Sequence, residues 1–247
     1  MGTADERRER RVYVARHGER LDHVDADWAR TAAYPHDPPL TARGRRQAHE
    51  LGVWLQQQRH ANVRYILASP FARTVETADC VAEVLQLPVW REHGVSEWLH
   101  EAWFYPDGPQ LMPVHALQRR CPRLLVPKAD DNVVHLSIMR PQYPESAHQM
   151  AQRCAYTAQA LTQRYRQGDM LIVAHGISVE YVIKGLCGPD TTVNWVTYCS
   201  LSECIESTAA AVDGDADAPG LSKWRLGLHC ETAHLSEPED PQTVRYV

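Results

Sequence analysis

The sequence predicts an α/β domain with a mainly parallel central sheet and helices on both faces. Three observations carry that prediction. Short apolar runs rich in β-formers alternate with longer stretches of helical periodicity, the pattern of strand–helix–strand units. The runs are apolar at consecutive positions, as parallel strands covered on both faces are. Three polar clusters, Arg16-His17, residues 69–73 and His175, each follow directly on such a run, where α/β sheets place their ligands.

Taken in order, residues 1–10 read as a flexible, solvated arm, since seven of the first eleven residues are charged. Val12-Tyr13-Val14-Ala15 is the first buried strand. Residues 22–39, with Pro35, Pro38 and Pro39, read as loop. Thr41 can N-cap a helix running to about Gln58, with Ala48, Leu51 and Leu55 on one face. Tyr65-Ile66-Leu67-Ala68 is the second strand. Ser69-Pro70 then offers an N-cap followed by proline at the first helical position. The helix after it carries Val75, Ala78, Ala82 and Leu85 on one face and stops before Pro88. Val89-Trp90 begins a third strand.

Residues 98–145 break the pattern. They hold Pro106, Pro109, Pro113, Pro122, Pro127, Pro141 and Pro144, and open with Trp98, Trp103, Phe104 and Tyr105. They read as an irregular lid insertion. Helical pattern resumes from about Glu145 to Arg166. Gly168-Asp169 is a turn, and Met170-Leu171-Ile172-Val173-Ala174 is the most apolar strand. A short helix to about Leu186 follows. Residues 209–220 read as a surface loop between two late strands, and 236–247 as a loose tail. The domain itself is expected over residues 11–235.

Composition narrows the function classes. The chain has 247 residues, long enough to bury a core without disulfides or metals. Its net charge of −5 argues against general nucleic-acid binding but allows a local basic pocket. No run approaches the roughly 20 apolar residues of a membrane span. Seven cysteines at irregular spacing, with no CxxC, read as reduced thiols of a cytoplasmic protein.

A histidine and several arginines at strand ends and helix N-termini make an anion pocket. Arginine offers planar paired donors matched to phosphate. At ~4 Å and an effective dielectric of about 20, each unit-charge pair is worth roughly 4 kcal/mol before desolvation. Such a pocket can hold a dianionic phosphoryl group and stabilise its transfer. A neutral imidazole within it could attack phosphorus, and a nearby carboxylic acid could protonate the leaving oxygen. The arginines neutralise the charge, so neither metal nor cofactor is expected. Arg73 lies in the first turn of its helix, where a cation opposes the dipole and calls for an anion. By contrast, Arg43, Arg45 and Arg46 read as a solvated helix face. Trp98, Trp103, Phe104 and Tyr105 read either as the insertion's own small core or as a wall for an aromatic leaving group.

Arg16-His17-Gly18 after a strand, Ser69-Pro70 with Arg73-Thr74, and a late strand ending in His175-Gly176 resemble the histidine phosphatase superfamily, whose fold is phosphoglycerate mutase-like. Arg20, Asp22 and His23 depart from the cofactor-dependent mutases, and Gly176 departs from the acid phosphatases. Arg16 to Asp22 (Arg-His-Gly-Glu-Arg-Leu-Asp), Asp37-Pro38-Pro39-Leu40-Thr41 and Glu97-Trp98 resemble the phosphatase domain of the suppressors of T-cell receptor signalling and the ecdysteroid-phosphate phosphatases. Members of that group carry further domains upstream, so the chain reads as a lone domain or an excised one.

The resemblance implies that His17 is the nucleophile, that Arg16, Arg20 and Arg73 bind phosphoryl oxygens, and that His175 contacts them as a donor. Glu97 is the implied general acid, with Glu92 and Glu101 as neighbouring alternatives. The implied activity is metal-independent hydrolysis of a phosphate monoester, phosphotyrosine or another bulky or aromatic ester, through a phosphohistidine. A sugar or steroid phosphatase, a mutase, and a weakly catalytic phosphate-binding signalling module are the alternatives. A homodimer is expected by analogy only.

Overall fold

The computed structural model describes residues 8–58, 60–126, 137–207 and 223–243. In chain order these form β1 (Arg11–Arg16), α1 (Trp28–Thr31), α2 (Ala42–Gln57), β2 (Val63–Ala68), α3 (Ala72–Leu85) and β3 (Val89–Arg91). Then come α4 (Glu101–Phe104), α5 (Val114–Arg120), α6 (Ala147–Arg164), β4 (Asp169–Ala174), α7 (Gly176–Cys187), β5 (Leu201–Glu206) and β6 (Trp224–Leu226).

The strands make one sheet in the order β3-β2-β4-β1-β5-β6. β1–β4, β4–β2 and β2–β3 are parallel, while β5 pairs antiparallel with β1 and with β6. The sheet is thus mainly parallel with an antiparallel edge. Alternate side chains of a strand leave opposite faces, and both faces are covered. Val12, Val14, Met170 and Ile172 pack with Met150 and Cys154 of α6 and Val182 of α7. Tyr13, Ala15, Leu171 and Val173 pack on the other face with Leu51 of α2 and Val75 and Ala78 of α3. This double burial is why the strands read as unbroken apolar runs.

Local capping sets the starts of α2 and α6. The Thr41 hydroxyl accepts from the Gly44 N–H at 2.9 Å. Ser146 and Gln149 form a reciprocal capping box at the start of α6. The start of α3 corrects the sequence reading. Its N-cap is Phe71 rather than Ser69, and Phe71 makes no side-chain cap. The wholly buried Asp37 reaches in from the loop between α1 and α2 instead, accepting from the Ala72 N–H at 2.7 Å and from the Met112 N–H at 2.8 Å. A carboxylate serves a helix N-terminus as well as a hydroxyl does, and it leaves Ser69 for other work.

The insertion is more regular than its prolines imply. Leu117, Cys121 and Leu124 are buried with α3 in the main core. The Leu125 N–H donates to Val89 O and the Val89 N–H to Arg123 O, both at 2.9 Å. The segment therefore covers the β3 edge of the sheet. Trp98 donates from its indole to Glu145 O at 2.7 Å. Phe104 is buried against Phe71 and Leu99, whereas Tyr105 is exposed. Residues 127–136 and the loop expected over 209–220 lie outside the described residues.

Both chain ends are tied down where they are described. Arg10 donates to the Thr162 and Tyr165 carbonyls at 2.8 Å and pairs with Glu206 at 2.9 Å, so the arm is anchored by this point. The tail expected to be loose from residue 236 is held over residues 236–240. Glu237 is paired with Arg46 at 2.9 Å and accepts at its carbonyl from Arg43 at 3.1 Å. These arginines, read as a solvated face, have carboxylate and carbonyl partners that only the folded chain brings to them.

Two glycines let the loop after β1 lie on α2. A Cβ at Gly18 would stand 2.4 Å from Gly44 O, and one at Gly44 would stand 2.3 Å from Glu19 O. Backbone sits on both sides of that contact, so neither side yields cheaply. Gly44→Ala should cost about 1–3 kcal/mol as an overpacking change. In a chain of this size that lowers the thermal midpoint by roughly 3–10 °C. A midpoint equal to the wild type in a calorimetric scan would show that the loop and the helix part freely.

Candidate active site

Strand register brings the three polar clusters together. Arg16, the last residue of β1, is in register with Ala174, the last of β4, and Ala68 at the end of β2 is in register with Val173. Each chain carries the ladder one step further. The His17 N–H donates to Ala174 O at 3.1 Å, and the Ser69 N–H to Val173 O at 3.0 Å. His17 and His175 leave the sheet as neighbours, with ring centroids 5.4 Å apart at an interplanar angle of 63°.

His17 is almost fully buried, and its Nδ1 lies 2.8 Å from Gly18 O. A carbonyl only accepts, so Nδ1 carries the proton and Nε2 keeps its lone pair. Burial first, then the charges of Arg73 and Arg16, hold this imidazole well below its ordinary pKa. It is neutral at neutral pH. The motif loop that follows is braced from α2, where Thr41 donates to Glu19 at 2.7 Å and Arg43 donates to it at 2.5 Å, and from α3, where Thr77 accepts from the Gly18 N–H at 3.0 Å.

His175 is wholly buried, and its Nε2 pairs with the Ser69 hydroxyl at 2.7 Å. Its Nδ1 lies 3.2 Å from Glu97 Oε2. Burial lowers its pKa to about 4, against the opposing pull of Glu97. Arg73 donates to the same Glu97 oxygen at 3.2 Å, and its guanidinium lies over the Phe71 ring at 4.5 Å. Its Nε and Nη1 are buried with no hydrogen-bond partner among the described residues. Burial, then the nearby Arg20, lowers Arg73 to about 10, so it remains a cation at neutral pH. Burial by itself would raise the Glu97 carboxyl, but His175, Arg73 and Arg20 hold it well below the usual carboxylate range.

Arg20 forks onto Asp22, with contacts of 2.7 and 2.5 Å. Burial works against its charge, but Asp22 more than offsets this and raises its pKa. The Arg16 guanidinium lies over the Tyr198 ring at 4.5 Å, and its Nη1 donates to Val196 O at 2.9 Å. Tyr198 is also a ring neighbour of His17 at 5.8 Å.

All six residues singled out from the sequence, Arg16, His17, Arg20, Arg73, Glu97 and His175, therefore fall in one cluster. Of the neighbouring carboxylates, Glu92 is buried and caps the turn after β3, accepting from the Gly94 N–H at 2.7 Å. Glu101 is exposed at the start of α4. Three side chains escaped sequence reasoning. Ser69 was legible in its motif but was read as a cap. Tyr198 and Glu239 sit in irregular chain with no motif around them. A second buried pair supports Glu97: Arg153 forks onto Glu145 at 2.7 Å and donates to Glu97 O at 3.3 Å. Among the described residues, no group of three or more His, Cys, Asp or Glu side chains is arranged to hold a metal ion. Among them, too, no helix is long and apolar enough to cross a membrane.

Known proteins resemble this chain to different extents. The 55 kDa subunit of transcription factor tau from Saccharomyces cerevisiae is 34% identical over 112 residues, which are 42% of this chain and 23% of that one. The match thus spans under a quarter of that relative's length. The uncharacterized phosphatase PhoE of Bacillus subtilis is 24% identical over 227 residues, 91% of this chain and 96% of its own. Ecdysteroid-phosphate phosphatase of Drosophila melanogaster is 25% identical over 250 residues, covering 85% of this chain and 32% of that protein. The crystal structure of an ecdysone phosphate phosphatase from Bombix mori, in complex with tungstate, superposes with a TM-score of 0.61 at 18% identity. It covers 86% of this chain and 98% of the other, a likeness of fold. The model of the histidine phosphatase superfamily (branch 1) matches residues 12–205, and this chain belongs to that superfamily of phosphatases.

Proposed function

We propose that the chain hydrolyses phosphate monoesters without a metal ion, through a phosphohistidine on His17, and that its substrate is phosphotyrosine or another bulky or aromatic ester. The single observation that carries this reading is the His17 tautomer. Nδ1–H donates to the Gly18 carbonyl, so the Nε2 lone pair stands ready among Arg16, Arg20, Arg73 and His175.

In the first step Nε2 of His17 bonds to phosphorus as the ester P–O bond breaks. The leaving oxygen takes a proton from Glu97. Glu97 can carry that proton because of what it touches. A phosphoryl dianion drawn to Arg73 puts negative charge beside the carboxylate, and like charge raises a carboxyl pKa. In the second step the Glu97 carboxylate takes a proton from water as the water oxygen bonds to phosphorus. The N–P bond breaks and its electron pair returns to His17. The unpaired buried nitrogens of Arg73 are suited to the equatorial oxygens. Phe71 lies edge-on to His175 at 5.0 Å but is buried with Phe104, so the aromatic reading rests on the likeness to the ecdysteroid-phosphate phosphatase.

A second reading, a phosphate-binding assembly module with little turnover, is favoured by the likeness to a transcription-factor subunit. Turnover separates the two. Wild-type protein should hydrolyse p-nitrophenyl phosphate in EDTA, and His17→Ala should reduce the rate about a thousandfold or more. Label from substrate should be trapped on the wild type in a base-stable, acid-labile bond. Equal rates in wild type and variant would reject His17 as nucleophile.

The two neutral imidazoles set an acid limit. The ordinary imidazole value near 6.5 applies to the unfolded chain, whereas His175 titrates at about 4 when folded and His17 well below 6.5. Below pH 6.5 the unfolded chain therefore binds protons that the folded chain does not, and stability falls as the pH drops from 6.5 towards 4. The thermal midpoint should decline over that window, less steeply in His175→Gln, and kcat/KM should show no acid limb at the ordinary imidazole value. An acid limb of kcat/KM centred near 6.5 would contradict a neutral, buried His17.

A further inference from the structure

The C-terminal segment runs along α2 and ends behind the catalytic cluster. Ser236 bonds to Glu50 through its N–H at 3.1 Å and its hydroxyl at 2.5 Å. Glu237 is held by Arg46 at 2.9 Å, and its carbonyl accepts from Gln47 at 3.2 Å. These contacts suffice to dock the strap, and the next acidic residue does something different. Glu239 turns its carboxylate inward, where the side chain is only 9% exposed. There its Oε2 accepts from the Tyr198 N–H at 2.9 Å and lies 3.6 Å from Arg16 Nη1.

Arg16 is thus bounded by the Tyr198 ring, the Val196 carbonyl and the Glu239 carboxylate. A guanidinium has a plane as well as a charge, and its paired donors serve a phosphoryl group only when that plane is aimed. The ring packs against the guanidinium, the carbonyl accepts from Nη1, and the carboxylate lies within ion-pair range of the same nitrogen. Burying a carboxylate is costly unless it is paired, and here the pairing is spent on one side chain of the Arg-His-Gly motif.

We propose that Glu239 is a positioning residue for the phosphatase reaction, holding the Arg16 guanidinium against Tyr198 so that it meets the phosphoryl oxygens in one orientation. This rests on the reading of Arg16 as a phosphoryl ligand. The strap therefore completes the site from behind, and Glu239 reaches phosphorus only through Arg16.

The test compares the wild-type full chain with E239A and E239Q, using p-nitrophenyl phosphate as substrate and inorganic phosphate as competitive inhibitor. E239A should lose about tenfold in kcat with KM changed by less than about threefold, as misaimed rather than missing groups do. Its thermal midpoint should stay within about 3 °C of the wild type. The E239Q amide oxygen still accepts from the Tyr198 N–H, so kcat should recover to within about threefold of the wild type. E239Q also removes a negative charge near the bound anion, so the inhibition constant for phosphate should fall about threefold. Unchanged kcat in E239A, or equal losses in both variants that follow the thermal midpoint, would overturn the assignment. Should E239A not fold, an unchanged phosphate inhibition constant in E239Q would overturn it. Absence of His17-dependent turnover in the wild type would instead defeat the reading of the site. Calorimetric binding of inorganic phosphate to the wild type and E239Q would then still test Glu239.

Discussion

The site depends on one constraint, the parallel register of β2, β4 and β1. These three strands end level with one another, Ala68 beside Val173 and Ala174 beside Arg16. Neighbouring strands lie about 4.8 Å apart, so residues that follow them directly are neighbours in space however distant in sequence. His17 and His175 are 158 positions apart and touch for this reason alone. The apolar faces fix that register. A slip by one residue would turn Val12 and Val14 away from α6 and α7 and present Tyr13 and Ala15 there instead.

On this frame sits an unusually dense set of buried ionisable groups. Arg73, Glu97, His175 and Arg16 are all largely out of water, where an isolated charge is prohibitively costly. Each is accommodated by a neighbour: Glu97 lies between Arg73 and His175, Arg16 is held by carbonyl, ring and carboxylate, and Arg20 is forked onto Asp22. The imidazoles take the other route and stay neutral. Catalytic use follows from this balance. Charges preorganised in a buried site need not reorganise when a phosphoryl group arrives, and a carboxylate sharing its cations with the substrate changes its proton affinity as that substrate binds.

Supporting interactions reach well beyond the six principal residues. Asp37 caps α3 from a separate loop and thereby frees Ser69 to hold His175. Glu19, inside the Arg-His-Gly-Glu motif, faces Thr41 and Arg43 and locks the motif loop onto α2. Arg153 and Glu145, buried together, fix the chain that carries Glu97. Residues 236–240 tie the end of the described chain to α2 and to Arg16.

The sequence by itself determined the elements whose signals are local. Apolar runs marked β1, β2 and β4, Thr41 marked the start of α2, and strand-end position marked Arg16, His17, Arg73 and His175. Periodicity, capping chemistry and the position of ligands beyond carboxyl strand ends suffice for these. Tertiary structure decided what depends on contacts between distant segments. It gave the α3 cap to Asp37 rather than Ser69, packed the proline-rich insertion against the β3 edge, and brought residues 236–240 onto α2 and Arg16. A hydrogen bond between remote residues leaves no periodic trace in either segment, and a charged run reads as solvated until the fold supplies the partner it turns towards.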